Sequence, residues 1–114
     1  MREKLYSGNH PDIAQSLNDL AVSYGRLGDA NKSLEYTKKA LEMQEKLYSG
    51  NHPDIARSLN SLAVSYSRLG NERMAYDYFK KALNMRQFLF DDGHPDLKES
   101  IENLAGSSKR LGKK

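Results

Sequence analysis

Three histidines are the residues best suited to chemistry in this sequence, and each of them opens the same tripeptide, His-Pro-Asp. They lie 42 residues apart, at His10, His52 and His94. Imidazoles can bind zinc, but the ligands of one zinc ion must all lie about 2 Å from it. Residues that recur once per repeat of packed helices are about 10 Å apart. The spacing therefore favours a structural turn motif over a metal or acid–base site.

The aspartates of the tripeptide, Asp12, Asp54 and Asp96, have the same spacing and the same explanation. Proline suits the first position of a helix, where a backbone N–H would have no partner. An aspartate in the first turn places negative charge at the positive end of the helix dipole. Each His-Pro-Asp is therefore predicted to begin a helix.

No other set of residues indicates catalysis or a bound cofactor. The sequence has no Gly-x-Ser-x-Gly and no glycine-rich phosphate loop. Asp91-Asp92-Gly93 lacks the ligand spacing of a calcium loop. Cysteine is absent, which excludes disulfides and thiolate metal sites. We expect no enzyme activity, no cofactor and no metal.

Charge and hydropathy also limit the possible partners. The net charge of +3 arises from 18 basic and 15 acidic residues, and the tail 109–114 contributes most of the excess. Such a tail is typical of a solvated chain end. No apolar run approaches the roughly 20 residues of a membrane helix, and the first residues lack the apolar core of a signal peptide. We expect a cytoplasmic protein that does not bind membranes.

The elements that position these tripeptides belong to a tandem repeat. The stretch Leu5–Ala14 returns unchanged as Leu47–Ala56, and a diverged third copy begins at Leu89. Residues 1–28 and 43–70 differ at four positions only: 2, 15, 19 and 25. A fixed period of this length is typical of a solenoid.

Apolar residues at three- and four-residue steps, together with the start and stop signals, predict helices throughout. Glycines 28 and 70 end the first helix of each repeat, and Asp29 and Asn71 cap the second. Short links between helices give antiparallel hairpins. The predicted fold is all-α, an alpha-alpha superhelix of stacked hairpins. Its predicted parts are the end of a truncated B helix (1–8), repeat 1 (9–50; helix A 11–27, helix B 29–48), repeat 2 (51–92; helix A 53–69, helix B 72–90) and a terminal A helix with a basic tail that acts as a C-terminal cap (93–114).

The repeat resembles the tetratricopeptide repeat (TPR). Leu17, Leu20-Ala21, Tyr24 and Gly28 fit its W/L-x2-L-G/A-x2-Y spacing with glycine at the turn. The usual unit has about 34 residues, and the 42-residue unit looks like the repeats of kinesin light chain and nephrocystin-type proteins. Thr37 departs from the family pattern, because the second repeat has the expected aromatic residue there, Phe79. We expect the first hairpin to be less well filled.

The resemblance implies that the A helices line a concave groove that binds a protein or peptide. Asparagine amides in that groove offer both a donor and an acceptor to an extended peptide backbone. A row of three arginines suits carboxylates and favours an acidic partner. The predicted groove residues are Gln15, Asn18, Val22, Arg26, Arg57, Asn60, Val64, Arg68, Glu102 and Arg110.

Two other functions stay open at this point. The repeat ends could stack head-to-tail, which would make the chain a structural module that associates with copies of itself. Binding of RNA by helical repeats is less favoured, because Glu99 and Glu102 interrupt the basic row that it needs.

Overall fold

The structure is a computed structural model that describes residues 10–112, and all regular structure in that range is helical. The predicted B-helix end at 1–8 and the last two residues of the basic tail lie outside the described residues. Each helix packs mainly on its neighbours in the chain. The prediction of an all-α superhelix is confirmed. The helices are α1 (Pro11–Arg26), α2 (Ala30–Leu47), α3 (Pro53–Arg68), α4 (Glu72–Leu89) and α5 (Pro95–Leu111).

The histidines of the repeated tripeptide cap the helices that follow them. Nδ1 of His10, His52 and His94 accepts a hydrogen bond from the backbone N–H two residues later, at 3.0 Å in each case. The rings of His52 and His94 also stack on Tyr48 and Phe90, with centroid distances of 3.6 and 3.9 Å. The tripeptide thus begins a helix and fastens it to the end of the preceding one.

The A and B helices of each repeat form a hairpin with a short connection. Gly28 and Gly70 adopt a φ of 89° and 88°, a left-handed conformation that suits glycine. The next residue, Asp29 or Asn71, then caps the B helix by accepting a backbone N–H at 3.0 or 3.2 Å. The chain reverses within three residues, so the two helices of a hairpin run antiparallel.

The main hydrophobic core surrounds α3, which is packed between α2 and α4. Leu62 of α3 is only 1% exposed, whereas its equivalent in α1, Leu20, is 44% exposed. Among the described helices, α1 packs mainly on α2, and Leu20 is therefore partly in solvent. The core consists of Leu41, Ile55, Leu59, Leu62 and Ala82, with a second cluster of Ala63, Ala75 and Phe79.

Buried hydrogen bonds fix the register between successive repeats. Asn18 of α1 donates to Ser58 of α3 at 3.2 Å, and Ser58 donates to Gln44 of α2 at 2.6 Å. One repeat later, Arg86 replaces the glutamine and donates to Ser100 at 2.8 Å. Within residues 10–112, no buried side-chain polar atom lacks a hydrogen-bond partner. The repeats are therefore joined by specific polar contacts as well as by apolar packing.

None of the helices in the described part of the chain is long and apolar enough to cross a membrane.

Candidate functional site

The A helices α1, α3 and α5 lie side by side and touch through polar side chains. Nη1 of Arg68 on α3 donates to the carbonyl oxygen of Gly25 on α1 at 3.1 Å. Nδ2 of Asn103 on α5 donates to Oδ1 of Asn60 on α3 at 3.1 Å. These contacts join the three A helices into one continuous surface. The sequence predicts the groove residues on these same helices.

A half-open cavity of about 250 Å³ lies between α1, α2 and α3. Five of the predicted groove residues line it together. Val22 is 49% exposed, and Arg26 is exposed with no ion pair or hydrogen bond among the described residues. The cavity thus combines apolar walls with positive charge. The five residues are Val22, Arg26, Asn60, Val64 and Arg68.

The cavity lies where the first hairpin lacks an aromatic side chain. Thr37, which is fully buried, is among the residues that line it, and its hydroxyl donates to the carbonyl oxygen of Ser33 at 2.8 Å. At the equivalent position of the second hairpin, the ring of Phe79 is packed against Ala63 and Ala75. The difference in side-chain volume explains why the cavity forms in the first repeat.

The other predicted groove residues lie outside this cavity. Asn18 is only 7% exposed and serves the contact between α1 and α3, so its predicted role in holding a peptide backbone is corrected to a structural one. Gln15 donates to Asp19 on its own helix. Arg57 is exposed away from the cavity, and Glu102 lines a separate depression beside α5.

Arg110 is held by an acidic residue that the sequence analysis did not single out. Its Nε donates to Oε1 of Glu72 at 2.9 Å, and the hydroxyls of Ser67 and Ser107 donate to the same carboxylate at 2.8 and 2.6 Å. Burial alone would raise the pKa of the Glu72 carboxyl, but the three hydrogen bonds outweigh it and lower that pKa. The predicted row of three arginines is therefore uneven, since this one is neutralised by its own chain.

Positions at which the two repeats differ lie at the cavity and at the Glu72 contact. Gly25 and Thr37 both border the cavity, and both are smaller than their equivalents, Ser67 and Phe79. The first repeat has Ala30 at the position that corresponds to Glu72 of the second repeat. Departures from the repeat thus mark the cavity, whereas the residues that the repeats share mark the scaffold.

The described residues contain no group of three or more histidine, cysteine, aspartate or glutamate side chains arranged to hold a metal ion.

Stacked helical hairpins with a common surface of A helices define a class, the superhelical repeat scaffolds. The sequence profile of the tetratricopeptide repeat family matches residues 1–46 and 12–87. The chain belongs to the tetratricopeptide repeat family. Proteins of this family generally act as scaffolds for protein–protein interaction, and such repeats are typically non-enzymatic.

Solved structures of kinesin light chain-like repeats share this fold. Nearly identical TPR-like repeats of a Podosopora anserina protein described as a kinesin light chain superpose with a TM-score of 0.81 at 23% sequence identity. BtubC (BKLC) from P. vanneervenii superposes with a TM-score of 0.84 at 26% identity. Each match covers 90% of this chain but only 49% and 41% of the other chain, so this chain spans less than half of either. No curated protein matches the sequence at a significant level.

Proposed function

We propose that this chain is an interaction scaffold that binds a peptide or a partner helix in the groove formed by α1, α3 and α5. The observation that carries the proposal is the cavity of about 250 Å³, around which α1 and α3 bring together Val22, Arg26, Asn60, Val64 and Arg68. These residues come from two helices of different repeats, and no packing requirement explains exposed Val22 beside unpaired Arg26. A rigid surface of this kind lowers the ordering cost of binding.

Charge defines the kind of partner. Arg26 and Arg68 both line the cavity, and no described carboxylate forms an ion pair with either of them. Guanidinium groups bind carboxylates through paired N–H donors. We therefore propose an acidic segment as the ligand, with apolar side chains that pack on Val22 and Val64.

The test is capture of peptides from an array, with variants chosen from the exposed groove residues. Asn60 is unsuitable, because it accepts a hydrogen bond from Asn103. Val22→Asp combined with Arg26→Glu should remove most of the capture by the wild-type chain and leave the helical circular dichroism unchanged. Lys80→Glu, on an exposed part of α4, makes the same charge change as Arg26→Glu and is the matched control. Equal capture by the groove variant and wild type would refute the proposal.

Association of the chain with copies of itself has one observation in its favour. Ile101 of α5 is 54% exposed, whereas its equivalent in α3, Leu59, is 6% exposed and part of the core. Against it, α5 carries Lys98 where α3 has the fully buried Ala56, which fits the proposal that α5 acts as a cap. Light scattering over a concentration series decides between self-association and a monomer that α5 caps. A growing mass that Ile101→Lys abolishes would support self-association, and a constant monomer mass would exclude it.

A further inference from the structure

The two junctions between repeats differ in one carboxylate. We call α1, α2 and α3 the first junction and α3, α4 and α5 the second junction. In the second junction the Glu72 carboxylate accepts hydrogen bonds from Ser67, Ser107 and Arg110. A shift of 42 residues converts these four residues into Ala30, Gly25, Ser65 and Arg68. The first junction therefore keeps the arginine and one of the two serines but lacks the carboxylate that would satisfy them.

The donors of the first junction have replacement partners that leave capacity for an anion. Arg68 uses one N–H on the carbonyl oxygen of Gly25, and a guanidinium has five. The Ser65 hydroxyl donates to Ser33 across a long 3.3 Å, whereas its equivalent, Ser107, donates to Glu72 at 2.6 Å. The same set of donors is thus present with weaker contacts.

Space is available at this position as well. The cavity of the first junction includes Gly25, Thr37, Ser65 and Arg68 in its walls. A Cβ at Gly25 would lie 3.1 Å from Nη1 of Arg68, so even a small side chain would crowd the guanidinium. In the second junction, Phe79 takes the place of Thr37. Two departures from the repeat, at positions 25 and 37, therefore lie in the walls of this cavity. A third, at position 30, leaves its arginine without the carboxylate that Arg110 has in Glu72.

We infer that the first junction is a binding site for a carboxylate of the peptide ligand, which takes the place that the Glu72 carboxylate fills in the second junction. Arg68 and Ser65 donate to it, and Arg26 adds positive charge from α1. The inference rests on the proposed function, which it deepens by assigning the acidic group to named donors. The lowered pKa of Glu72 agrees with it, because the equivalent surroundings already favour an ionised carboxylate. The carboxylate comes from an acidic side chain or from a peptide C-terminus.

Small carboxylates test the site without requiring a known partner. N-acetylglutamate α-amide offers a side-chain carboxylate, N-acetylalanine offers a terminal one, and N-acetylglutamine α-amide is the neutral control. In NMR titrations of the wild-type chain, a carboxylate should shift the Arg68 Nε–H and the Ser65 amide in a saturable way. The tighter of the two charged probes identifies the source of the carboxylate. Equal shifts with the neutral amide, or shifts spread over all arginines, would overturn the inference.

The repeat itself supplies the decisive variant, Ala30→Glu, which gives the first junction the residue that the second junction has. The built-in carboxylate should weaken binding of the charged probes by about tenfold or more, as expected for loss of a hydrogen bond between charged groups. Asn31→Glu makes the same charge change at the next, exposed residue, and should weaken binding less than about twofold because salt screens it. Unchanged binding by Ala30→Glu would refute the site.

The failure of this site can be told apart from the failure of the groove. If Ala30→Glu captures the same peptides as wild type while the Val22/Arg26 variant does not, the groove stands and the carboxylate site is wrong. If the small carboxylates bind at Arg68 but no peptide is captured, the site stands and the proposed function is wrong.

Discussion

Each described histidine acts as the N-cap residue of a helix, a position that serine or aspartate occupies in many helices. The Nδ1 atom of His52 accepts the backbone N–H of Asp54 at 3.0 Å, and its ring stacks on Tyr48 at 3.6 Å. A single side chain therefore begins α3 and holds it against the end of α2. The same two contacts recur at His94, so the repeated His-Pro-Asp has a structural role at the start of α3 and α5.

Replacement of His52 by alanine should lower the free energy of unfolding by about 1–2 kcal/mol, the usual cost of a lost N-cap. Urea denaturation would show a lower midpoint with an unchanged slope. His52→Asn is the matched control, because its amide oxygen can still cap the helix, and it should lose only the ring stacking. Equal losses in both variants would show that the cap contributes nothing.

Glu72 predicts the pH dependence of stability in the second junction. Its pKa in the folded chain is lowered from the ordinary value of 4.5. The unfolded chain therefore binds the proton more readily, and the carboxylate contributes stability that is complete above that value and lost as the pH falls through the lowered pKa. The difference in unfolding free energy between wild type and Glu72→Gln should be constant well above the ordinary value of 4.5 and shrink as the pH falls below it. A constant difference would contradict the assignment.

The limits of sequence reasoning are clearest in the three arginines. Their spacing predicts one row, but the three guanidinium groups differ in their polar partners. Arg26 has no such partner among the described residues, Arg68 donates to the Gly25 carbonyl, and Arg110 donates to Glu72. The partners of the last two lie 43 and 38 residues away in sequence. Helix periodicity cannot identify such partners, because they depend on which side chains the packing brings together.

At the scale of the elements, local signals in the sequence made the helix ends predictable. Each start and stop depends on residues within one turn of the helix end, such as Asp29 for α2 and Gly70 for the end of the α3 segment. Local signals of that kind are readable in a sequence. The cavity was foreseen only as an incompletely filled hairpin at Thr37, since its walls come from three helices.

Thr37→Phe should stabilise the first hairpin by about 1 kcal/mol, because a ring would fill the cavity with apolar surface. The ring should fit, since the chain already encloses one in matching surroundings. Six residues form a cluster with Phe79 or pack against that cluster, and five of them have identical equivalents in the first repeat. Only Ser33 differs, replacing Ala75. Those five residues of the second repeat are Ala63, Val64, Tyr66, Tyr78 and Leu104, and their equivalents are Ala21, Val22, Tyr24, Tyr36 and Leu62.

Thermal denaturation measures the gain, and Thr37→Val is the control, because it removes the hydroxyl but leaves the cavity. A rise in midpoint with phenylalanine and little change with valine is expected. A fall with phenylalanine would mean that the first hairpin cannot accept a ring without strain. Thr37→Phe should also weaken peptide capture, so stability and binding should change in opposite directions.

At the scale of the whole molecule, the described helices form a one-dimensional array. Each packs mainly on its neighbours in the chain, and stability in such arrays is approximately a sum of repeat and interface contributions. Helices with fewer buried residues should then open at a lower free energy than the centre. Seven residues of α3 are buried, against three in α5.

Hydrogen exchange should therefore be slowest in α3 and faster in α5, with measurement by mass spectrometry of proteolytic fragments. Leu97→Ala is the sharpest perturbation, because Leu97 is 6% exposed on α5 and its truncation costs about 2–3 kcal/mol. It should accelerate exchange in α5 and leave α1 almost unchanged, since α1 makes no close packing contact with α5. Equal acceleration in every helix would mean that the array unfolds as one cooperative unit. A ligand bound at the first junction would then stabilise α5 as much as α1, whereas in a graded array its protection should stay confined to α1, α2 and α3.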